Sequence, residues 1–285
     1  MPKKAAFITV HGMGQTELNY NQEIVQELER RLGSLSDDLH IGKVYYQDIL
    51  QPIEDRVWGS VAHQVRWDEL RKFVLFGFAD ATGLENNTEG NSSNYYKTQV
   101  IIAKELLKAR DAMEGNGPVV FLAQSLGCHV TSCYFWDANQ ITSGKLPTCG
   151  IWQNISGAAV EITGGRALKN EEIAFLRGLH LRVFVTTGCC IPIFVAAHAK
   201  ADIIPIRPND MFEWHNYYDE DDVLGWPLAG LSDQYGTVVN DHSVNAGGGI
   251  IDWLLKSWNP LSHTQYWSDD DVLDPLEQKL RALLS

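Results

Sequence analysis

The stretch PVVFLAQSLGCHV, residues 118–130, decides the fold of this chain. It begins with a continuous apolar run at residues 119–122, which is typical of a β-strand covered on both faces of a sheet. A serine flanked by small residues follows at once, and the residues after it have the composition of a helix. The stretch therefore predicts a buried parallel strand that turns sharply at Ser125 and continues as a helix.

The small residues around Ser125 have a steric reason. A turn that pushes the serine side chain into a cleft brings the strand and helix backbones together, so large side chains two positions away would clash. Ala123 and Gly127 occupy those two positions. The turn also places the N–H of Leu126 at a helix start, where it can stabilise an anionic oxygen. This pattern is typical of a nucleophile elbow.

A second motif lies near the start of the chain. The β-rich run at residues 6–10 leads into His11, Gly12, Met13 and Gly14. In serine hydrolases with a nucleophile elbow, a turn of this kind supplies the second oxyanion donor, and the N–H of Met13 is the best placed. The alternatives are an ordinary glycine-rich turn and a phosphate loop. The motif lacks the Lys-Ser/Thr ending of a P-loop and the spacing of a dinucleotide site.

Three motifs in this order resemble the α/β-hydrolase superfamily, in particular its lipase- and esterase-like bacterial members. They are VHGMG at residues 10–14, AQSLG at 123–127 and SHTQYW at 262–267. The resemblance covers essentially the whole chain and implies one α/β-hydrolase domain over residues 1–285. Its fold would be a doubly wound, mostly parallel sheet with helices on both faces. Ala123 and Gln124 depart from the family's usual Gly and frequent His, and neither change removes a catalytic atom.

The resemblance implies a catalytic triad in the chain order serine, acid, histidine. The histidine belongs between the last strand and the last helix, which favours His263. The final helix is predicted to open at Asp274 with a capping box and a proline in its first turn. His242 is an alternative that lies early relative to the chain end. His11 is another, although a histidine before an oxyanion glycine usually holds the turn by hydrogen bonds.

The acid is sought after a predicted strand at residues 212–218. Carboxylates occupy all four following positions, 219–222. A solvated acidic loop or a cation site would also explain such a charge run. The family's acid falls after a late strand in an Asp-x-hydrophobic pattern, which favours Asp221, with Asp222 second. The chosen carboxylate would orient His263 and stabilise its protonated ring.

Composition limits the classes of partner. The net charge of −13 argues against nucleic acid and against anionic membrane surfaces. No apolar run reaches membrane-spanning length, and the first predicted strand begins at residue 5, which leaves no room for a signal peptide. The five cysteines are odd in number and lack zinc spacing. These features agree with a cytoplasmic enzyme. The resemblance implies a small-molecule ester or lipid-like substrate and no metal or other cofactor.

Strands and helices alternate along the chain, which predicts a parallel sheet with sites at the carboxyl ends of its strands. Residues 51–94 form a longer connection than a minimal fold of this class needs. They are expected to be either a cap or lid over the site or a pair of helices packed on the sheet. Helices are expected at residues 19–32 and 95–113. Further strands are expected at residues 41–47, 152–156, 181–187 and 236–240.

The sequence thus predicts a hydrolase that cleaves carboxylic esters through Ser125, His263 and Asp221. The N–H groups of Met13 and Leu126 would form the oxyanion hole. A thioesterase, an amidase or an acyltransferase would use the same residues. A catalytically silent hydrolase fold that serves as a binding module is the alternative from another class. Oligomeric state and acyl-chain preference stay open.

Overall fold

The structure, a computed structural model, describes residues 1–14, 16–61, 93–142, 144–245 and 265–285. Six strands of the described chain form one sheet in the order β2-β1-β3-β4-β5-β6, and every neighbouring pair is parallel. This confirms the predicted α/β class with a parallel sheet. The strands are β1 (Ala5–Val10), β2 (Leu39–Val44), β3 (Val119–Gln124), β4 (Leu181–Thr187), β5 (Glu213–Asp219) and β6 (Val239–Val244).

Helices connect most of the strands. Short 3₁₀ turns occupy Gly33–Asp38, Ile151–Asn154, Lys200–Asp202, Ala229–Leu231 and Tyr266–Ser268. The α-helices are α1 (Gln22–Leu32), α2 (Gln47–Val61), α3 (Asn94–Ala112), α4 (Leu126–Thr142), α5 (Ile155–Thr163), α6 (Asn170–Leu176), α7 (Ile191–Val195), α8 (Tyr235–Val238) and α9 (Asp270–Leu284).

The sheet separates two hydrophobic cores, because successive side chains of a strand point to opposite faces. In β1, Ile8 packs into one core and Phe7 into the other. The first core is completed by helices that include α3, α4, α5 and α6, and the second by α1 and α9. Helices therefore cover both faces, which explains why β1 and β3 are apolar without alternation.

The strand order reverses between β1 and β3. From β1 the chain crosses to β2 on one side, and it later returns to β3 on the other side. Val10 pairs with Ala123 at the carboxyl ends of these two strands, so the turn after β1 and the turn after β3 begin side by side. In open parallel sheets a crevice forms at such a reversal, and ligands bind there.

The prediction of a strand at residues 152–156 is wrong. A 3₁₀ turn and the start of α5 occupy this stretch. The side chain of Asn154 caps α5 by accepting a hydrogen bond from the N–H of Gly157 at 2.9 Å. A short apolar run does not distinguish a strand from a buried helical segment, and here the cap decides it.

Three predicted boundaries are also corrected. The final helix begins at Asp270, four residues before the predicted start, because Asp269 caps it by accepting from the N–H of Asp271 at 2.8 Å. Pro275 consequently lies inside α9. The predicted strand at 41–47 ends at Val44, and the one at 236–240 begins only at Val239.

The predicted cap is described only in part. Helix α2 covers its first residues up to 61, whereas residues 62–92 lie outside the described residues. Among the helices that the structure describes, none has the length and apolarity that crossing a membrane requires.

The packing of α9 predicts the stability effect of truncating its buried face. Leu280 is fully buried in the second core, whereas Leu146 is 72 % exposed. We expect Leu280→Ala to lower the free energy of unfolding by about 3 kcal/mol, because a buried cavity remains. Leu146→Ala, the matched control, should change it by less than about 0.5 kcal/mol. Urea unfolding of both variants measures this, and equal effects would contradict the packing of α9.

Candidate active site

Ser125 occupies the turn between β3 and α4. Its φ is +52°, in the left-handed region that a non-glycine residue adopts only when its surroundings enforce it. Two hydrogen bonds hold this backbone: the N–H of Ser125 donates to the carbonyl of Thr187 at 2.9 Å, and the N–H of Cys128 donates to the carbonyl of Ser125 at 3.0 Å. The sharp strand-to-helix turn expected at Ser125 is present.

Two glycines allow the turns after β1 and β3 to touch. A Cβ atom at Gly127 would lie 2.3 Å from the carbonyl oxygen of His11, which no side chain tolerates. A Cβ atom at Gly12 would lie 2.9 Å from the Cβ of Ser125. The close contact between Gly127 and His11 is the one that a small residue two positions after Ser125 was expected to permit. The second places the turn after β1 directly against the serine side chain.

The Ser125 hydroxyl is buried, with 1 % of the residue exposed. Its Oγ has no hydrogen-bond partner among the residues that the structure describes. Leaving a buried polar group unpaired costs about 1–3 kcal/mol, so such groups are rare and usually have a function. His263, the predicted base, lies outside the described residues.

The two predicted oxyanion donors lie in the turns after β3 and β1. Leu126 follows Ser125, is buried and is the first residue of α4, so its N–H is one of the helix-start amides that lack an intrahelical acceptor. Met13 is half-buried and follows Gly12, the residue whose Cβ position lies against Ser125. The start of α4 beside the serine favours negative charge there, and the role of the Met13 amide stays a prediction.

His11 holds the turn after β1. Its Nε2 accepts from the N–H of Tyr46 at 3.1 Å, so the proton of the neutral ring sits on Nδ1, which is 2.8 Å from the carbonyl oxygen of Gly12. The Tyr46 hydroxyl also donates to the carbonyl of His11 at 2.7 Å. Burial lowers the pKa of His11 to about 4, against the hydrogen bond to Gly12, which raises it. Both ring nitrogens of His11 therefore make hydrogen bonds to the backbone of the protein.

His242, the other alternative base, lies on β6. Its Nε2 is 3.1 Å from Nδ1 of His215, and its ring stacks on Tyr217 with centroids 4.7 Å apart. Burial and the neighbouring His215 lower the pKa of His242. Its described contacts are with β5 side chains.

The four carboxylates after β5 differ in burial. Asp221, the first choice from the sequence, is exposed, whereas Asp222 is only 6 % exposed. Asp222 accepts from the N–H of Leu224 at 3.0 Å and from the hydroxyl of Tyr266 at 2.8 Å. Asp219 is also buried, and its Oδ1 accepts from the N–H of Asp221 at 2.8 Å. Burial therefore favours the second choice, Asp222.

The Asp-x-hydrophobic pattern favours Asp221, and on an extended segment its neighbour Asp222 would then face the opposite side. The N–H of Asp222 instead donates to the carbonyl of Asp219 at 3.1 Å, which closes a tight turn. In this turn Asp222 points inward and Asp221 points to solvent.

Tyr266 is a site residue that sequence reasoning missed. Its fully buried hydroxyl donates to Asp222 and accepts from the N–H of Asp219 at 2.9 Å. Burial, together with the adjacent Asp222 carboxylate, raises the pKa of Tyr266. The Nε1–H of Trp267 donates to Oγ1 of Thr187, the last residue of β4, at 3.1 Å. The SHTQYW motif contained both aromatic residues, although nothing local indicated these contacts.

These two contacts attach the segment after residue 264 to the carboxyl ends of β4 and β5. Space around Asp222 is also tight, since a Cβ atom at Gly225 would lie 2.6 Å from its Oδ2. The serine, the amides and the buried carboxylate all follow carboxyl ends of strands in one sheet. Among the described residues, no group of three or more His, Cys, Asp or Glu side chains could hold a metal ion.

No protein-family model matches the chain, and no curated protein matches it.

The buried neutral state of His11 predicts a pH-dependent stability. Its pKa is about 4 when folded and 6.5 when exposed, so the unfolded chain binds more protons between these values. The stability that His11 provides is complete above pH 6.5 and decreases by up to about 3 kcal/mol as the pH falls to 4. Urea unfolding of the parent protein and His11→Gln should show a stability difference that shrinks over this range.

The exposed His198 supplies the control for this experiment. The difference between the parent protein and His198→Gln should stay constant from pH 7 to 4.5. A pH-independent difference for His11→Gln would contradict the assignment of His11 as a buried neutral residue.

Proposed function

We propose that this protein is a serine hydrolase of the α/β-hydrolase fold that cleaves carboxylic esters. One observation carries the proposal: Ser125, at the strand-order reversal, has a φ of +52° and a buried hydroxyl without a partner among the described residues. The glycine contacts on both sides of the serine and the buried carboxylate of Asp222 support it.

In this mechanism the Ser125 Oγ attacks the ester carbonyl carbon while His263 takes its proton. The carbonyl oxygen becomes an oxyanion that accepts hydrogen bonds from the N–H groups of Met13 and Leu126. His263 returns the proton to the alkoxide leaving group, which departs as an alcohol and leaves an acyl-enzyme. Water, activated by His263, then releases the carboxylic acid and restores the Ser125 hydroxyl. The reaction requires no cofactor.

Asp222 is the acid of this proposal, in place of Asp221. A triad carboxylate orients the histidine best when it is buried and fixed, and Asp222 meets both conditions through Leu224 and Tyr266. His263 precedes Tyr266 by three residues, a span of at most about 11 Å of extended chain. A span of this length permits His263 to reach the carboxylate that Tyr266 contacts.

Hydrolysis of thioesters or amides and acyl transfer would use the same residues. These reactions differ in the leaving group of the substrate and in the molecule that accepts the acyl group. A binding module that never reacts is the alternative from another class. A left-handed backbone at Ser125 fits either class, because strained residues cluster at active sites and at ligand clamps alike, so covalent labelling of the serine distinguishes them.

The nucleophile is tested by Ser125→Ala. We expect a loss of ester hydrolysis of at least about 10⁴-fold, because the remaining triad members cannot act without the serine. A panel of p-nitrophenyl esters of increasing acyl length measures it. A fluorophosphonate should label the parent protein at Ser125 and leave the variant unlabelled.

The exposed Ser243 provides the control, and Ser243→Ala should keep both activity and labelling. Hydrolysis by Ser125→Ala at the parent rate would refute the nucleophile. A parent protein that neither hydrolyses any ester or thioester nor reacts with the fluorophosphonate would favour the binding module.

The acid is tested by paired substitutions one residue apart. We expect Asp222→Asn to lower kcat/KM by about 10⁴-fold, because an amide stabilises the wrong tautomer of the histidine. Asp221→Asn makes the same change of charge at the surface and should alter kcat/KM by less than about twofold. The reverse pattern would reinstate Asp221, and the assignment of Ser125 would be unaffected.

A further inference from the structure

A cavity of about 400 Å³ is lined in part by one face of helix α4. His129, Ser132, Cys133 and Trp136 line it from α4, and their spacing of three and four residues places them on one helix face. Ser125 precedes His129 by four residues, about one helical turn. The cavity therefore begins near the elbow and is separate from the residues assigned to catalysis.

Aromatic rings from four helices form much of the cavity wall. They are Tyr95 of α3, Trp136 of α4, Phe194 of α7 and Tyr235 of α8. The His129 ring stacks on Phe194 with centroids 3.7 Å apart and planes 8° apart, which adds a further flat ring. The faces of aromatic rings carry partial negative charge and attract cations.

A buried carboxylate also lines this cavity. Asp137 is only 4 % exposed, and its Oδ2 accepts from the Tyr95 hydroxyl at 2.6 Å and from Nε2 of Gln99 at 2.9 Å. Both of these hydrogen bonds end on Oδ2, and neither donor engages the other oxygen, Oδ1. Gln99 is itself fixed, because its Oε1 accepts from the N–H of Ile151 at 2.8 Å. The carboxylate is thus held rigidly with one oxygen left for a ligand.

The described residues that line the cavity offer this carboxylate no counter-ion, because none of them is a lysine or an arginine. Asp202 adds a second carboxylate. Burial lowers the pKa of His129 to about 4, so its imidazole is neutral near pH 7. A positively charged ligand would supply the missing charge, whereas an anion would be repelled.

We propose that the cavity along α4 binds a small organic cation, a quaternary or protonated amine, between the aromatic rings and the Asp137 carboxylate. The rings contact the apolar substituents and the charge of the cation, and Oδ1 of Asp137 faces its positive end. A volume of about 400 Å³ accommodates a ligand of this size. The proposal concerns binding alone and does not depend on hydrolysis by Ser125.

Cys133 supplies a reporter inside the cavity. It is half-buried and lines the cavity, whereas Cys128, Cys149, Cys189 and Cys190 are buried. Alkylation of Cys133 by iodoacetamide can be followed by peptide mass spectrometry at constant ionic strength. Choline is the cationic probe, and 3,3-dimethylbutan-1-ol is a neutral molecule of the same shape. We expect choline to slow the alkylation saturably, and the neutral analogue to require at least about tenfold higher concentration.

Two charge-matched variants locate the binding. Asp137→Asn should weaken protection by choline at least about tenfold. Asp233→Asn makes the same charge change on a fully exposed side chain and should leave protection unchanged. Trp136→Leu removes one ring without touching the Asp137 hydrogen bonds and should weaken protection about threefold or more.

Three results would overturn the proposal: no protection by choline, equal protection by the neutral analogue, or full protection in Asp137→Asn. The comparison of choline with its analogue uses the unaltered protein, so it stands even if Asp137→Asn does not fold. Ser125→Ala should bind choline as the parent protein does. Failure of the proposed hydrolysis and failure of cation binding are therefore separate results.

Discussion

The contact between Gly127 and the end of β1 is the constraint on which the site depends. Any side chain at residue 127 would collide with the carbonyl oxygen of His11, 2.3 Å from its Cβ. Without one, the first turn of α4 packs against the turn after β1, which also brings Gly12 against Ser125. The contact lies at the strand-order reversal between β1 and β3. This close approach of two backbones is therefore needed both for the packing of α4 against the end of β1 and for the contact between Gly12 and Ser125.

Local patterns predicted the parts of the fold that local interactions determine. The strand at 181–187 was predicted to the residue, and the elbow turn followed from small residues flanking a serine. The strand predicted at 152–156 was wrong, because a side-chain cap at Asn154 selects a helix where apolar composition leaves both open. After β5, a turn closed by Asp219 buries Asp222 and exposes Asp221, which the spacing of the acidic residues alone did not indicate.

The remaining site geometry depends on contacts between residues distant in the chain, which sequence spacing does not encode. Tyr266 reaches Asp222 across 44 residues, and Trp267 reaches Thr187 across 80. Both contacts are consequences of strand order, since they require the ends of β4 and β5 to be adjacent. They fix the chain just after His263, whose own position lies outside the described residues. Its role as base stays a prediction from the sequence, now bounded by its short distance along the chain from Tyr266.

The free-energy cost of the backbone conformation and burial of Ser125 supports the proposed chemical role independently of any sequence motif. Its left-handed backbone costs about 1–3 kcal/mol, and its buried hydroxyl, which has no partner among the described residues, costs a similar amount wherever no other group pairs with it. Glycine at this position would remove both costs, because it adopts positive φ freely and carries no hydroxyl to bury. Stability alone would therefore not place a serine here. A hydroxyl presented by such a turn, at the first residues of a helix, fits the reacting serine that we propose.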